Sequence, residues 1–261
     1  MIATYVICLD SHRDDRCDPT IANLKSCPGI NVQAFPAITP ESMDLRQYLH
    51  PYAKATVEKR RLRMSSNDLS DWRQVACAMS HIRLWEKCAA SGDPIIVVED
   101  DQTDINLKQF VPKLIALPED TDMAIIKCLP MNYKWESSSS FWKPVKQFVG
   151  FQCYYLTPQG ANKLLKFALP VTQHIDVYAS ECIPSEDLKV YGHRRSNNTN
   201  VLKGSTLSHG LLNTKELYAK IAIGICIILI ALFLILAVIN IVRLGKCRKK
   251  VETILSSISS G

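Results

Sequence analysis

Residues 95–101 read IIVVEDD. Glu99, Asp100 and Asp101 are three adjacent carboxylates, which repel one another unless a positive charge sits among them. Hard carboxylate oxygens suit a divalent ion such as Mn²⁺ or Mg²⁺, and an ion held there can bind a diphosphate and help it leave. The alternative is a solvated acidic turn. The preceding residues bear on the choice: 95–98 are four aliphatics, the composition of a short buried strand, and in open α/β sheets ligands bind beyond the carboxyl ends of strands. Arg13 and Arg16 follow a second apolar run, residues 4–9, TYVICL. They stand where a nucleotide would lie, with an exposed basic loop as the alternative. His81 lies between the two runs, on a segment with helical spacing.

These residues need a frame to hold them. Residues 4–9 and 30–39 read as strands, the second ending near Pro40. Residues 40–71 are polar and predict irregular structure with short helices; their basic run at 59–63 reads as a solvated face. Within 71–90, Val75, Met79, Ile82 and Trp85 recur at three-or-four spacing, an amphipathic helix closed by the turn residues SGDP. A helix follows at 108–117, a strand at 122–129, a loop through MNYKWESSSSFW, a strand at 148–157 and a helix at 158–167 with Pro at its start. Helices running into interior strands predict an α/β fold with a mainly parallel sheet and flanking helices.

The chain has 261 residues, net charge +6, 47% hydrophobic and 21% charged residues, a globular composition. Up to Thr214 there are 24 Lys/Arg against 23 Asp/Glu; beyond it there are 7 against 2. The basicity belongs to the C-terminus and gives no reason to expect nucleic acid at the main domain. Residues 221–242, IAIGICIILIALFLILAVINIV, carry no charge and are long enough for a membrane-spanning helix. The expected organisation is a domain over 1–190, a linker over 191–220, a single span in the lipid bilayer over 221–242 and a basic tail over 243–261. The ten cysteines show no C-x-x-C pair and read mostly as reduced, buried small residues. Cys247 beside the span reads equally as an acylation site or an unmodified thiol.

Residues 73–101, RQVACAMSHIRLWEKCAASGDPIIVVEDD, resemble the central motif of glycosyltransferase family 25, which includes lipooligosaccharide and procollagen galactosyltransferases. Cys77, Ala78, Ser80, His81, Leu84, Trp85, Glu99, Asp100 and Asp101 stand where that pattern has them. YVICLDSHRDDR is similar to the family's first strand and loop, and CYYLTPQGANKLLKFALPVTQHIDVY to its late strand–helix block. The resemblance touches most of residues 3–180. It implies a GT-A type, Rossmann-like fold and an inverting transfer of a hexose, galactose above all, from a nucleotide sugar such as a UDP-sugar to a glycan or protein acceptor. It also implies assistance from Mn²⁺. Ser80 and His81 then belong near the donor, Glu99, Asp100 and Asp101 to the metal, and Asp176 to the role of general base, with Glu186 and Asp187 as competing carboxylates. The chain departs from the family at Gln74, where an acid is usual, and at Cys8, where Asn is usual. Those departures keep a second reading open, a catalytically degenerate membrane protein with a binding or assembly role.

Membrane sidedness divides two rules. The basic tail favours a cytosolic C-terminus, and Asn197 would be a glycan acceptor if the domain were luminal. No secretory signal opens the chain, so the expectation is a C-terminally anchored protein with its domain in the cytosol.

Overall fold

The computed structural model describes residues 1–59, 68–135 and 140–193, with backbone only for Lys59 and 129–135. Residues 221–242, the basic tail, Asn197, Cys247 and most of the 59–63 run lie outside the described residues. Among the described residues no helix is long and apolar enough to cross a membrane.

Alternation of apolar side chains makes the first strand, β1 (Ile2–Cys8), a two-faced central strand. Tyr5 and Ile7 enter one hydrophobic layer, Val6 and Cys8 the other. β2 (Ile30–Pro36) and β3 (Ile95–Glu99) flank β1, both parallel to it. The sheet continues with β5 (Lys143–Leu156), β4 (Met123–Trp135) and β6 (Val190–Gly192), in the order β2-β1-β3-β5-β4-β6. β5 is antiparallel to β3, β4 and β6, while β4 and β6 are parallel. The architecture is therefore a mixed α/β sheet with flanking helices in which only β5 reverses direction.

The helices cover both faces. α1 (Asp18–Lys25) contributes Leu24 to the layer that holds Val6, Ile96 and Val98. α3 (Trp72–Ser91) buries Val75, Met79, Ile82 and Trp85 in the opposite layer, with α4 (Pro158–Leu165) and α5 (Ile175–Ser185). α2 (Pro51–Lys59) joins that layer through Ala53 and Val57. Asp71 caps α3 by accepting from the Arg73 N–H at 2.8 Å, and Gly92 ends it at φ 73°, a left-handed position that favours glycine.

Three expectations need correcting. Residues 108–117 form two 3-10 turns, Leu107–Gln109 and Val111–Ala116, because Pro112 lacks an N–H and disfavours α geometry before it. MNYKW is strand, extending β4 into a long irregular pairing with β5. Cys8 and Cys17 are disulfide-bonded, with Cα atoms 5.4 Å apart. The other six cysteines described are free, as expected.

Candidate functional site

The chain leaves β1 for β2 on one side, then returns to place β3 on the other. This reversal of strand order opens a crevice at the carboxyl ends of β1 and β3, the usual ligand position in open α/β sheets. A cavity of about 380 Å³ lies there, within the range of small-molecule sites. Its lining includes Ile7 from β1, Leu9, Ser11, His12 and Arg16 from the segment after it, Ala37–Glu41 after β2, one face of α3, and Glu99, Asp100 and Asp101.

The carboxylates do different work. Asp100 is buried; its Oδ2 accepts from the Leu9 N–H at 2.9 Å and its carbonyl accepts from Thr20 Oγ1 at 2.9 Å. It locks the end of β3 to the end of β1. Asp101 accepts from Gln102 Nε2 and lines the cavity. Glu99 faces α3, with Oε1 3.7 Å from His81 Nε2. Burial, then the charges of Asp101, Asp176 and Asp100, push its carboxyl well above the usual range. Burial likewise raises Asp100, against the Leu9 hydrogen bond.

The basic loop divides as well. Arg16 lines the cavity, with Nε 4.0 Å from Asp15. Arg13 turns aside to an exposed pair with Asp18 at 2.8 Å and is not among the lining residues. The disulfide spans this loop, tying its far end to the end of β1.

On α3, Ser80 donates to the Ala76 carbonyl at 3.0 Å and accepts from the Ile38 N–H at 2.9 Å. Its hydroxyl thus anchors the segment after β2 to the helix. His81 is fully buried, its Nδ1 2.9 Å from Tyr154 Oη, which also accepts from Trp85 Nε1 at 2.9 Å. Burial lowers the His81 imidazole to about 3, so the ring is neutral. Gln74 is buried with its Oε1 accepting from the Ser70 N–H at 2.8 Å. That side chain secures the start of α3 and does not line the cavity, so the departure from the family's acid removes nothing from the cavity wall.

Asp176, in the first turn of α5, accepts from the Gly150 N–H at 2.6 Å; Gly150 takes φ 91°. Asp176 does not line the cavity, but its charge bears on both Glu99 and Cys77. Glu186 pairs with Lys166 at 2.8 Å and Asp187 with Lys189 at 2.6 Å, so both competitors are engaged elsewhere. Cys77, not singled out as a site residue from sequence, lines the cavity; burial, then nearby carboxylates, raises its thiol well above the usual range. Its spacing of four from His81 was the available signal.

The crevice collects acids, a guanidinium and a neutral imidazole at a strand-order reversal, an arrangement able to hold a cation and a phosphorylated ligand. No curated protein matches the chain. Among solved structures it is similar to a CMP:2-keto-3-deoxy-manno-octonic acid synthetase complexed with CTP, at 9% identity and TM-score 0.44 over 84% of this chain and 99% of that one. The family model described as glycosyltransferase family 25 (LPS biosynthesis protein) matches residues 1–179, which takes in β1 to β5 and the whole cavity lining, and the chain is a glycosyltransferase belonging to that family.

Proposed function

We propose that this glycosyltransferase moves a hexose, galactose by family resemblance, from a UDP-sugar to a glycan or glycoprotein acceptor with inversion, on a GT-A type fold. The observation that carries the reading is the cavity at the β1/β3 reversal, where Arg16 faces the carboxylates of Glu99, Asp100 and Asp101. The guanidinium of Arg16 is suited to the diphosphate, since its N–H donors match phosphate oxygens in charge and geometry. Glu99 and Asp101 would hold a cation of the Mn²⁺ or Mg²⁺ kind, with Asp100 bracing them from behind. Mutual repulsion among these acids and Asp176 fits a cation at this point. When bound, the ion supplies Lewis-acid help to the departing diphosphate.

Asp176 is the proposed general base. The Gly150 N–H holds one carboxylate oxygen, which orients the other to take the proton of the acceptor hydroxyl. Ser80 serves the donor indirectly, by fixing the segment after β2 that forms one cavity wall. His81 stands at the cavity floor.

We also propose that residues 221–242 anchor the chain in a bilayer. The Cys8–Cys17 bond weighs against the cytosolic side for the domain, since disulfides persist in oxidising compartments. Protease protection of intact vesicles and a glycan on Asn197 test the side.

The function is tested by release of UDP from a panel of UDP-sugars by the full chain in detergent, with and without Mn²⁺. Metal-dependent release selective for one sugar is expected. No release from any donor would overturn the proposal, and UDP–Mn²⁺ binding retained in calorimetry would then favour a degenerate binding role.

A further inference from the structure

We propose that Cys77, His81 and Glu99 form a binding site for one thiophilic divalent cation, Zn²⁺ in type, with an open coordination position towards the cavity. α3 puts Cys77 and His81 four residues apart, hence on one helix face. β3 ends opposite them at Glu99. Sγ, the imidazole nitrogen and the carboxylate oxygen all lie within 4.8 Å of one another, and His81 Nε2 is 3.7 Å from Glu99 Oε1. Ligands on a tetrahedral zinc sit roughly 3.4–3.8 Å apart, given its bond lengths, so small side-chain adjustments complete the geometry.

A second observation points at the same spot. His81 Nε2 is fully buried and has no hydrogen-bond partner among the described residues. An unmet buried polar atom is costly, and the fold maintains it. The ring is held by Tyr154 on its Nδ1 side and packs against Phe151 at a centroid distance of 5.3 Å, which leaves Nε2 directed to Cys77 and Glu99. Metal binding selects the tautomer with the proton on Nδ1, donated to Tyr154 Oη. Such a contact behind the ligand is what orients metal-bound histidines. Cys77 gives up its thiol proton to solvent and binds as thiolate. A thiolate, an imidazole and a carboxylate favour zinc over Mg²⁺ or Mn²⁺, and three protein ligands leave a fourth position. Because all three residues line the cavity, that position faces it.

The site shares Glu99 with the proposed Mn²⁺ set but takes Cys77 and His81, which that set does not use, so a titration without nucleotide reads it apart from the glycosyltransferase reading. The metal-free full chain is titrated with Co²⁺. One equivalent should bind with a thiolate-to-cobalt charge-transfer band, and one equivalent of Zn²⁺ should abolish it. Cys77→Ser should lose the band and bind Zn²⁺ at least about a hundredfold more weakly, with an unchanged circular dichroism spectrum. Should that variant misfold, Glu99→Gln provides the independent readout: the band retained, Zn²⁺ binding about tenfold weaker. Asp101→Asn should leave the cobalt band intact while weakening UDP–Mn²⁺ binding. A missing band in the wild type, an unchanged band in Cys77→Ser, or equal Zn²⁺ affinity in wild type and both variants would overturn the proposal.

Discussion

Asp122, at the amino end of β4, and Glu99, at the carboxyl end of β3, lie at opposite ends of the same sheet. Asp122 is completely buried, and its Oδ2 meets Lys163 Nζ at 2.6 Å and the Lys189 N–H at 2.7 Å. Its carbonyl accepts from both the N–H and the hydroxyl of Thr157, the residue that caps α4. Gly160 in α4 comes so close that an added Cβ would run into the Asp122 carbonyl. Glu99 faces a neutral imidazole and three further acids. One end of the sheet thus supplies a lysine to its carboxylate; at the other, Arg16 lines the same cavity, but the charges that bear on Glu99 are those of acids. The difference teaches how to read a carboxylate at a sheet end. Where lysine and backbone N–H groups meet it, it serves the fold. Where other acids surround it beside a cavity, it fits the cation proposed above.

The comparison breaks first, and most strongly, at Asp122. Asp122→Ala should cost about 3–5 kcal/mol, since it strands Lys163 and the Lys189 N–H, while turnover per folded molecule stays unchanged. Chemical denaturation measures this, and a loss under about 1 kcal/mol would mean that the pair does not hold the edge together. Asp176→Asn should do the reverse. Turnover should fall at least about a hundredfold, roughly 2.7 kcal/mol, with donor affinity nearly intact. Steady-state kinetics beside donor calorimetry separate the two effects, and unchanged turnover would move the base elsewhere.

Asp101→Asn should weaken UDP–Mn²⁺ binding by more than about tenfold, or 1.4 kcal/mol, without lowering the melting temperature. Equal affinity in calorimetry would remove Asp101 from the metal set. The smallest effects sharpen the contrast within the basic loop. Arg16→Ala should weaken UDP binding severalfold, whereas Arg13→Ala should leave it unaltered and change stability by less than about 1 kcal/mol, as exposed pairs do. Equal responses from the two variants would show that the cavity does not discriminate between them.

The amino-acid sequence by itself determined the elements whose signals are local. The aliphatic run before Glu99 specifies a buried strand, the spacing of Val75, Met79, Ile82 and Trp85 specifies α3, and Asp71 and Gly92 end it. Adjacency alone also put three carboxylates at a strand end, and the three motif blocks together indicated the family that residues 1–179 match. Strand β4 was only half legible, because MNYKW carries polar residues that gain their extended form from pairing with β5. The site was legible in its acids but not in their roles. Only the tertiary structure decided that Asp100 braces β1, that Ser80 fastens the chain after β2, that Gln74 turns to Ser70, and that Arg16 rather than Arg13 faces the cavity. It alone joined Cys8 to Cys17 and brought Glu99 to Cys77 and His81. Periodicity fixes which face of a helix or strand a side chain occupies, because it depends on neighbours a few residues away. The partner a side chain meets depends on strand order and register across the sheet, which place Ile7 beside Glu99 although 91 residues separate Leu9 from Asp100.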